Sequence, residues 1–163
     1  MDLKRWIRTV PDYPSEGIFF RDITPLLANP TAFKYAATRI SELYQHRSLD
    51  AIVAIDARGF LFGAPVALNL SLPFIPFRKP DKLPPKVVGI NYQLEYGSTR
   101  LEARSNSLAT GMNVLVIDDL LATGGTALAA TRLIEHLGAN INALAFIIEL
   151  VDLNGRSTLN AYD

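Results

Sequence analysis

Residues 114–127 read Val-Leu-Val-Ile-Asp-Asp-Leu-Leu-Ala-Thr-Gly-Gly-Thr-Ala, and no other stretch of the chain restricts its fold so tightly. The apolar, mostly β-branched run at 114–117 predicts a buried strand that ends in two carboxylates, Asp118 and Asp119. A loop containing Ala122, Thr123, Gly124, Gly125 and Thr126 follows. Beyond it Ala127, Ala130, Leu133, Ile134 and Leu137 recur at helical spacing, and Gly138 predicts the stop. In parallel sheets of this kind, ligands sit outside the carboxyl ends of the strands, where the aspartates fall. The loop has a chemistry of its own. Without Cβ atoms, the glycines let backbone N–H groups approach an anion; the threonine hydroxyls add donors, and the helix N-terminus adds the positive end of its dipole. Ionised carboxylates beside such a cup repel a phosphate but accept strongly from sugar hydroxyls. The combination points to a phosphorylated ribose. It is not a Walker loop, since no Lys follows the glycines, and it lacks the Gly-x-Gly-x-x-Gly dinucleotide fingerprint.

The rest of the chain continues the alternation of strand and helix. Asn29 as N-cap and Pro30 at the first helical position open a helix carried on by Phe33, Ala37, Ile40, Leu43 and Tyr44. Residues 51–55 read as a short buried strand, 64–70 as a helix with Pro65 tolerable only near its start, and 74–77 as a second short strand. The polar stretch 79–86, with Pro80, Pro84 and Pro85, is a loop. Val88, Ile90, Tyr92, Leu94 and Tyr96 then alternate with period two, Gly97-Ser98 offers a turn, and Leu101 and Ala103 resume the alternation, which predicts a hairpin. Gly111 marks another turn, and 143–150 is a last apolar strand. The expected fold class is α/β, a mainly parallel twisted sheet with helices on both faces. The hairpin interrupts that pattern as an insertion of the kind that often serves as a flap over a site.

Other classes are set aside by composition. The 163 residues suit one domain, and no repeat, linker or low-complexity tract divides them. Sixteen Lys and Arg balance sixteen Asp and Glu without a long basic run, so there is no electrostatic footprint for nucleic acid or an anionic membrane. With no cysteine, a disulfide framework, a zinc–thiolate site and a cysteine nucleophile are excluded. The N-terminal residues lack the apolar core of a signal peptide, and a cytoplasmic location is the default expectation. His46 and His136 stand isolated and receive no role. Trp6 is expected to pack the N-terminal segment down.

Four segments together resemble one family. The wording Asp118-Asp119-Leu120-Leu121-Ala122-Thr123-Gly124-Gly125-Thr126 looks like the phosphoribosyl diphosphate motif of type I phosphoribosyltransferases, and of the adenine phosphoribosyltransferases in particular. Tyr13-Pro14-Ser15-Glu16-Gly17-Ile18-Phe19-Phe20-Arg21-Asp22 resembles that family's base-binding N-terminal loop, and Asp56-Ala57-Arg58-Gly59-Phe60 its pyrophosphate loop. Arg78-Lys79-Pro80-Asp81-Lys82, followed by Leu94-Glu95-Tyr96-Gly97, is similar to its basic loop and catalytic flap. The resemblance runs in order from about residue 11 to about residue 152.

The resemblance implies a single domain over residues 1–163, with an N-terminal base-binding hood at 1–30 and a flexible β-hairpin flap at 86–104. It implies a homodimer that uses adenine and 5-phosphoribosyl 1-diphosphate, with Mg2+ held mainly by the diphosphate. By the same resemblance, Ala122, Thr123, Gly124, Gly125 and Thr126 hold the 5-phosphate, and Asp118 and Asp119 face the ribose hydroxyls. Arg58, Lys82 and Tyr96 contact the pyrophosphate, and Arg78 reaches that of a neighbouring subunit. Phe19, Phe20 and Arg21 frame the adenine, and Glu95 is the catalytic acid. Taken alone, Phe19 and Phe20 read as core in preference to a base site, Lys79 and Lys82 as a solvated loop, and Glu95 as a hairpin-edge residue. A regulator that binds the same sugar diphosphate without turnover, and a transferase for another base, are the rival readings. Two departures from the pattern stand out: Asp56 occupies a place where the family usually has Glu, and the chain ends soon after Val151-Asp152-Leu153, where members usually run on.

Overall fold

A computed structural model describes residues 1–93 and 98–163, with the side chain of Gln93 also outside the description. A 3-10 turn (Leu3–Trp6) is followed by β1 (Arg8–Val10), β2 (Phe20–Asp22), α1 (Thr24–Ala28) and α2 (Pro30–Tyr44). Next come β3 (Ala51–Ile55), α3 (Gly59–Leu70), β4 (Phe74–Phe77), β5 (Val87–Gln93) and β6 (Ser98–Arg104). The chain continues with β7 (Asn113–Leu121), α4 (Gly125–His136), β8 (Asn140–Glu149), a 3-10 turn (Val151–Leu153) and α5 (Gly155–Thr158).

Four strands form the central sheet in the order β4-β3-β7-β8, every neighbouring pair parallel. Side chains alternate across it. Ala51, Val53 and Ile55 of β3 and Val114 and Val116 of β7 pack with Ala127, Ala130, Leu133 and Ile134 of α4. Ile52, Leu115 and Ile117 face the opposite way, onto Ala36, Ala37 and Ile40 of α2 and Phe62 and Val66 of α3. Helices therefore cover both faces, as expected from the continuous apolar runs at 51–55 and 114–117. The sheet also sets where a ligand can enter. From β3 the chain crosses through α3 to β4 on one side; from β7 it crosses through α4 to β8 on the other. The boundary between β3 and β7 is a topological switch point, where diverging connections leave a crevice beyond the strand ends.

Several boundaries differ from the sequence reading, each for a tertiary reason. Helix α3 begins at Gly59, five residues before the predicted start, which leaves Pro65 inside it. Pro65 has no N–H to give to Leu61, and Leu61 is exposed. Strand β7 does not end in the carboxylates Asp118 and Asp119 but continues to Leu121, because β8 goes on pairing with it as far as Leu121↔Glu149. Its ladder with β3 stops earlier, at Ala54↔Ile117, so Asp118 and Asp119 lie on the part of β7 that β3 no longer flanks. Helix α1 and the β1–β2 pairing were not legible, being too short to show a period. The β5–β6 hairpin forms with Val88↔Ala103 and Ile90↔Leu101 opposed. Its apolar face is anchored, since Leu101 and Ala103 are buried in the cluster with α4. Trp6 packs against the α2 and α3 side of the core, as expected.

Candidate active site

The loop that leaves β3 and the end of β7 meet at the switch point. Asp56 and Ala57, joined by a cis peptide, and Arg58 lead from β3 into α3. A Cβ on Gly59 would lie 2.8 Å from the Ile117 carbonyl oxygen and 2.9 Å from Asp118 Oδ1, so only glycine lets the start of α3 come this close to β7. That approach brings Arg58 to the acids. Its Nε stands 2.8 Å from Asp119 Oδ2, and its guanidinium lies over the Phe20 ring at 5.6 Å from the centroid. Asp119 is 3% exposed. Among the described residues its Oδ2 accepts no hydrogen bond, so the tie to Arg58 is a close ion pair outside hydrogen-bond alignment.

Asp118 behaves differently from its neighbour. Its Oδ1 accepts the Asp119 backbone N–H at 2.8 Å. Burial first, and the negative charge of Asp119 second, push its pKa well above the usual carboxylate range, against the opposing pull of that N–H and of Arg58. The sequence reading took both acids as equivalent ionised acceptors. In the fold they are unequal, because one is matched by a cation and the other is buried beside a like charge.

The loop after β7 has the form expected of an anion cup. Gly124, the N-cap of α4, adopts φ +86°, and a Cβ there would meet Gly155 O at 2.7 Å. Among the described residues no side chain caps α4, so its first N–H groups remain available at the crevice, whereas at the start of α3 the Phe60 and Leu61 N–H groups donate to the Ala57 and Arg58 carbonyls at 3.2 and 3.1 Å. Ala122, Gly125 and Thr126 are half-buried and Thr123 is exposed.

The other predicted residues are distributed around this centre. Phe20, half-buried in β2, joins it through Arg58 and packs edge-on against Tyr13 at 5.2 Å. Phe19 is 60% exposed, which removes the reading of it as core. Arg21 turns its guanidinium to the Thr9 hydroxyl across the β1–β2 ladder. Arg78 Nε donates to Asp56 Oδ2 at 3.1 Å, its Nη1 donates to Lys82 O at 3.1 Å, and it lies over the Phe60 ring. Asp56, shorter than the family's usual acid, thus still reaches a cation. The Lys82 side chain is exposed. Glu95 and Tyr96 lie outside the described residues. Sequence reasoning missed Gly155 and Thr158, which touch the 122–124 loop; the turn-forming Asn154-Gly155 pair was the only local signal.

Comparison with known proteins matches the same elements. A family model described as a phosphoribosyl transferase domain matches residues 22–157. The adenine phosphoribosyltransferase of Thermotoga petrophila is 52% identical over all 163 residues, 96% of that protein's length. Among solved structures, the adenine phosphoribosyltransferase of Thermoanaerobacter pseudethanolicus superposes with a TM-score of 0.95 at 45% identity, covering 99% of this chain and 94% of that one. The Saccharomyces cerevisiae enzyme, complexed with an imino-altritol bisphosphate and adenine, gives 0.91 at 41% identity, covering 98% and 93%. Identity at this level over almost the whole length, on a crevice that pairs an anion cup with two acids, leaves one assignment: the chain belongs to the phosphoribosyltransferase family and, within it, to the adenine phosphoribosyltransferases.

Proposed function

We propose that this chain transfers 5-phosphoribose from 5-phosphoribosyl 1-diphosphate to N9 of adenine, giving AMP and pyrophosphate in purine salvage. The observation that carries the proposal is the meeting of two loops at the switch point, where Arg58 pairs with Asp119 next to the cup at residues 122–126. One domain does this work in the proposal, with residues 1–30 as a hood over the base and 86–104 as a flap.

The roles follow from charge and reach. Ala122, Thr123, Gly124, Gly125 and Thr126 take the 5-phosphate on N–H groups and hydroxyls at the start of α4. Asp118 and Asp119 face the ribose hydroxyls. With its Nε on Asp119, Arg58 still has the two terminal nitrogens of its guanidinium for the pyrophosphate, where Lys82 and Tyr96 join it. Arg78 reaches the pyrophosphate of a second subunit in a homodimer. Phe19, Phe20 and Arg21 frame the adenine, Phe20 on the face braced by Arg58. Departure of pyrophosphate leaves positive charge at the anomeric carbon, and a closing flap excludes water from that carbon. Adenine must shed a proton as N9 attacks. Glu95 accepts it, and returns it to the purine in the reverse reaction.

Mg2+ fits this donor set. Among the described residues no cluster of three or more acids or histidines forms, and the protein offers the adjacent carboxylates Asp118 and Asp119, with Asp119 Oδ2 paired to Arg58 but accepting no hydrogen bond. That composition suits an ion held mostly by substrate oxygens and water. When bound, it supplies Lewis-acid stabilisation of the leaving diphosphate. No helix among the described residues is long and apolar enough to cross a membrane. The cytoplasm is the proposed location because the charged sugar diphosphate stays where it is made.

A base panel tests the reading. With phosphoribosyl diphosphate and Mg2+, pyrophosphate release is expected with adenine and not with hypoxanthine, guanine or orotate. Equal rates with hypoxanthine would overturn the assignment of the base, and tight binding without release would favour a sensor.

A further inference from the structure

The segment that follows β8 returns to the loop at the end of β7. After Glu149 the chain makes a 3-10 turn, passes Asn154 in a left-handed conformation and forms the short α5. Arg156 anchors it to the end of β8, with Nε and Nη2 donating to Glu149 Oε1 and Oε2 at 3.1 and 2.7 Å. Leu159 is buried in the core shared with α4, and the Tyr162 hydroxyl donates to Glu135 on that helix. Between these anchors, two residues touch the loop backbone. The Thr158 hydroxyl donates to the Thr123 carbonyl at 3.0 Å. Gly155 lies so close to the Ala122 carbonyl that a Cβ would stand 2.1 Å from its oxygen.

These contacts fix direction as well as distance. A trans peptide is planar, so the N–H after a carbonyl points the opposite way. With the Ala122 carbonyl turned to Gly155, the Thr123 N–H points away from Gly155. With the Thr123 carbonyl held by Thr158, the Gly124 N–H points away from Thr158. Gly124 completes the fit from the other side, since a Cβ there would lie 2.9 Å from Thr158 Cβ. We propose that Thr158 and Gly155 are positioning residues that hold the 122–124 peptides in the orientation that presents their N–H groups to the 5-phosphate. This rests on the reading of that loop as the 5-phosphate site.

Thr158→Val keeps the shape and removes the donor, and Thr158→Ser restores the donor. Thr158 is exposed, so neither change is expected to move the thermal midpoint by more than a degree or so. The valine variant should weaken ribose 5-phosphate binding, measured by calorimetry, by about three- to tenfold, the scale of one lost hydrogen bond. It should raise KM for phosphoribosyl diphosphate in proportion and leave KM for adenine alone, and serine should recover most of the loss. Thr126→Ala separates this idea from its premise. If Thr126→Ala leaves ribose 5-phosphate binding intact, the loop is not the 5-phosphate site. If it weakens binding while Thr158→Val binds like wild type, or Thr158→Val raises both KM values alike, the positioning role is wrong.

Discussion

Replacing Arg58 by glutamine tests how the two acids are tolerated at the switch point. Asp119 is almost wholly buried, and Arg58 Nε at 2.8 Å is the cation beside it. Removing one partner of a fully buried pair costs about 3–5 kcal/mol, because the other charge is left uncompensated. The Arg58 side chain is 36% exposed, so solvent screens part of that loss and about 2 kcal/mol is the better figure. Loss of the guanidinium over Phe20 adds about 0.5–1 kcal/mol. Arg58→Gln should therefore lower the free energy of unfolding by about 2–3 kcal/mol.

Asp119→Asn should cost far less, since it removes the buried charge itself and also relieves Asp118. The double variant should exceed Asp119→Asn only by the lost Phe20 contact, about 0.5–1 kcal/mol, giving a coupling of about 1.5–2 kcal/mol. Urea unfolding of the four proteins near neutral pH measures this directly. An Arg58→Gln variant within about 0.5 kcal/mol of wild type, or a coupling inside that same margin, would show that the buried pair is not what holds the acid in place.

Three further outcomes are expected. The raised pKa of Asp118 means that its contribution to stability is present below the ordinary aspartate value of 3.8 and lost as pH rises through the folded value; Asp118→Asn should thus melt higher than wild type at neutral pH, with the difference shrinking toward about pH 4 in thermal scans. Glu95→Gln should lower kcat by about a hundredfold to ten-thousandfold while phosphoribosyl diphosphate affinity stays nearly unchanged, and turnover within a few-fold of wild type would leave Glu95 without a role in proton transfer. Gly124→Ala forces a side chain into φ +86° and toward Gly155 O, so a stability loss of at least about 1–2 kcal/mol is expected by denaturant titration, with weaker ribose 5-phosphate binding.

Much of the fold could be read from local chemistry. Strands β3 and β4 fell where predicted because short apolar runs bounded by turns have few other uses, and α2 began at Asn29-Pro30 because the Asn29 side chain caps Ala32 N–H. What stayed hidden depended on partners distant in sequence. The extension of β7 is decided by β8, about thirty residues on, and the early start of α3 by a gap beside Ile117 and Asp118 that only glycine can fill. The family motifs named Arg58, Asp118 and Asp119, but they did not reveal that Arg58 compensates one acid and leaves the other strained. Gly155 and Thr158 carry no periodicity and no charge, so nothing in the sequence tied them to a loop thirty residues earlier.

Several unsatisfied local features meet at the switch point. Of the helices α2, α3 and α4, only α2 has a side-chain N-cap; α3 and α4 leave their first N–H groups without one. Those two helices are the ones that start beyond β3 and β7, facing the switch-point crevice. Between them sit adjacent acids, one buried against a like charge, and a glycine held in the left-handed region. The acid buried beside a like charge costs stability and the uncapped start of α4 leaves N–H groups for a partner, in contrast to the Asn29 cap and the Arg156–Glu149 fork. In the proposed reading a phosphorylated ribose diphosphate matches this arrangement, with the uncapped start of α4 for the 5-phosphate, the Arg58 guanidinium at the start of α3 for the diphosphate, and two carboxylates for the hydroxyls between.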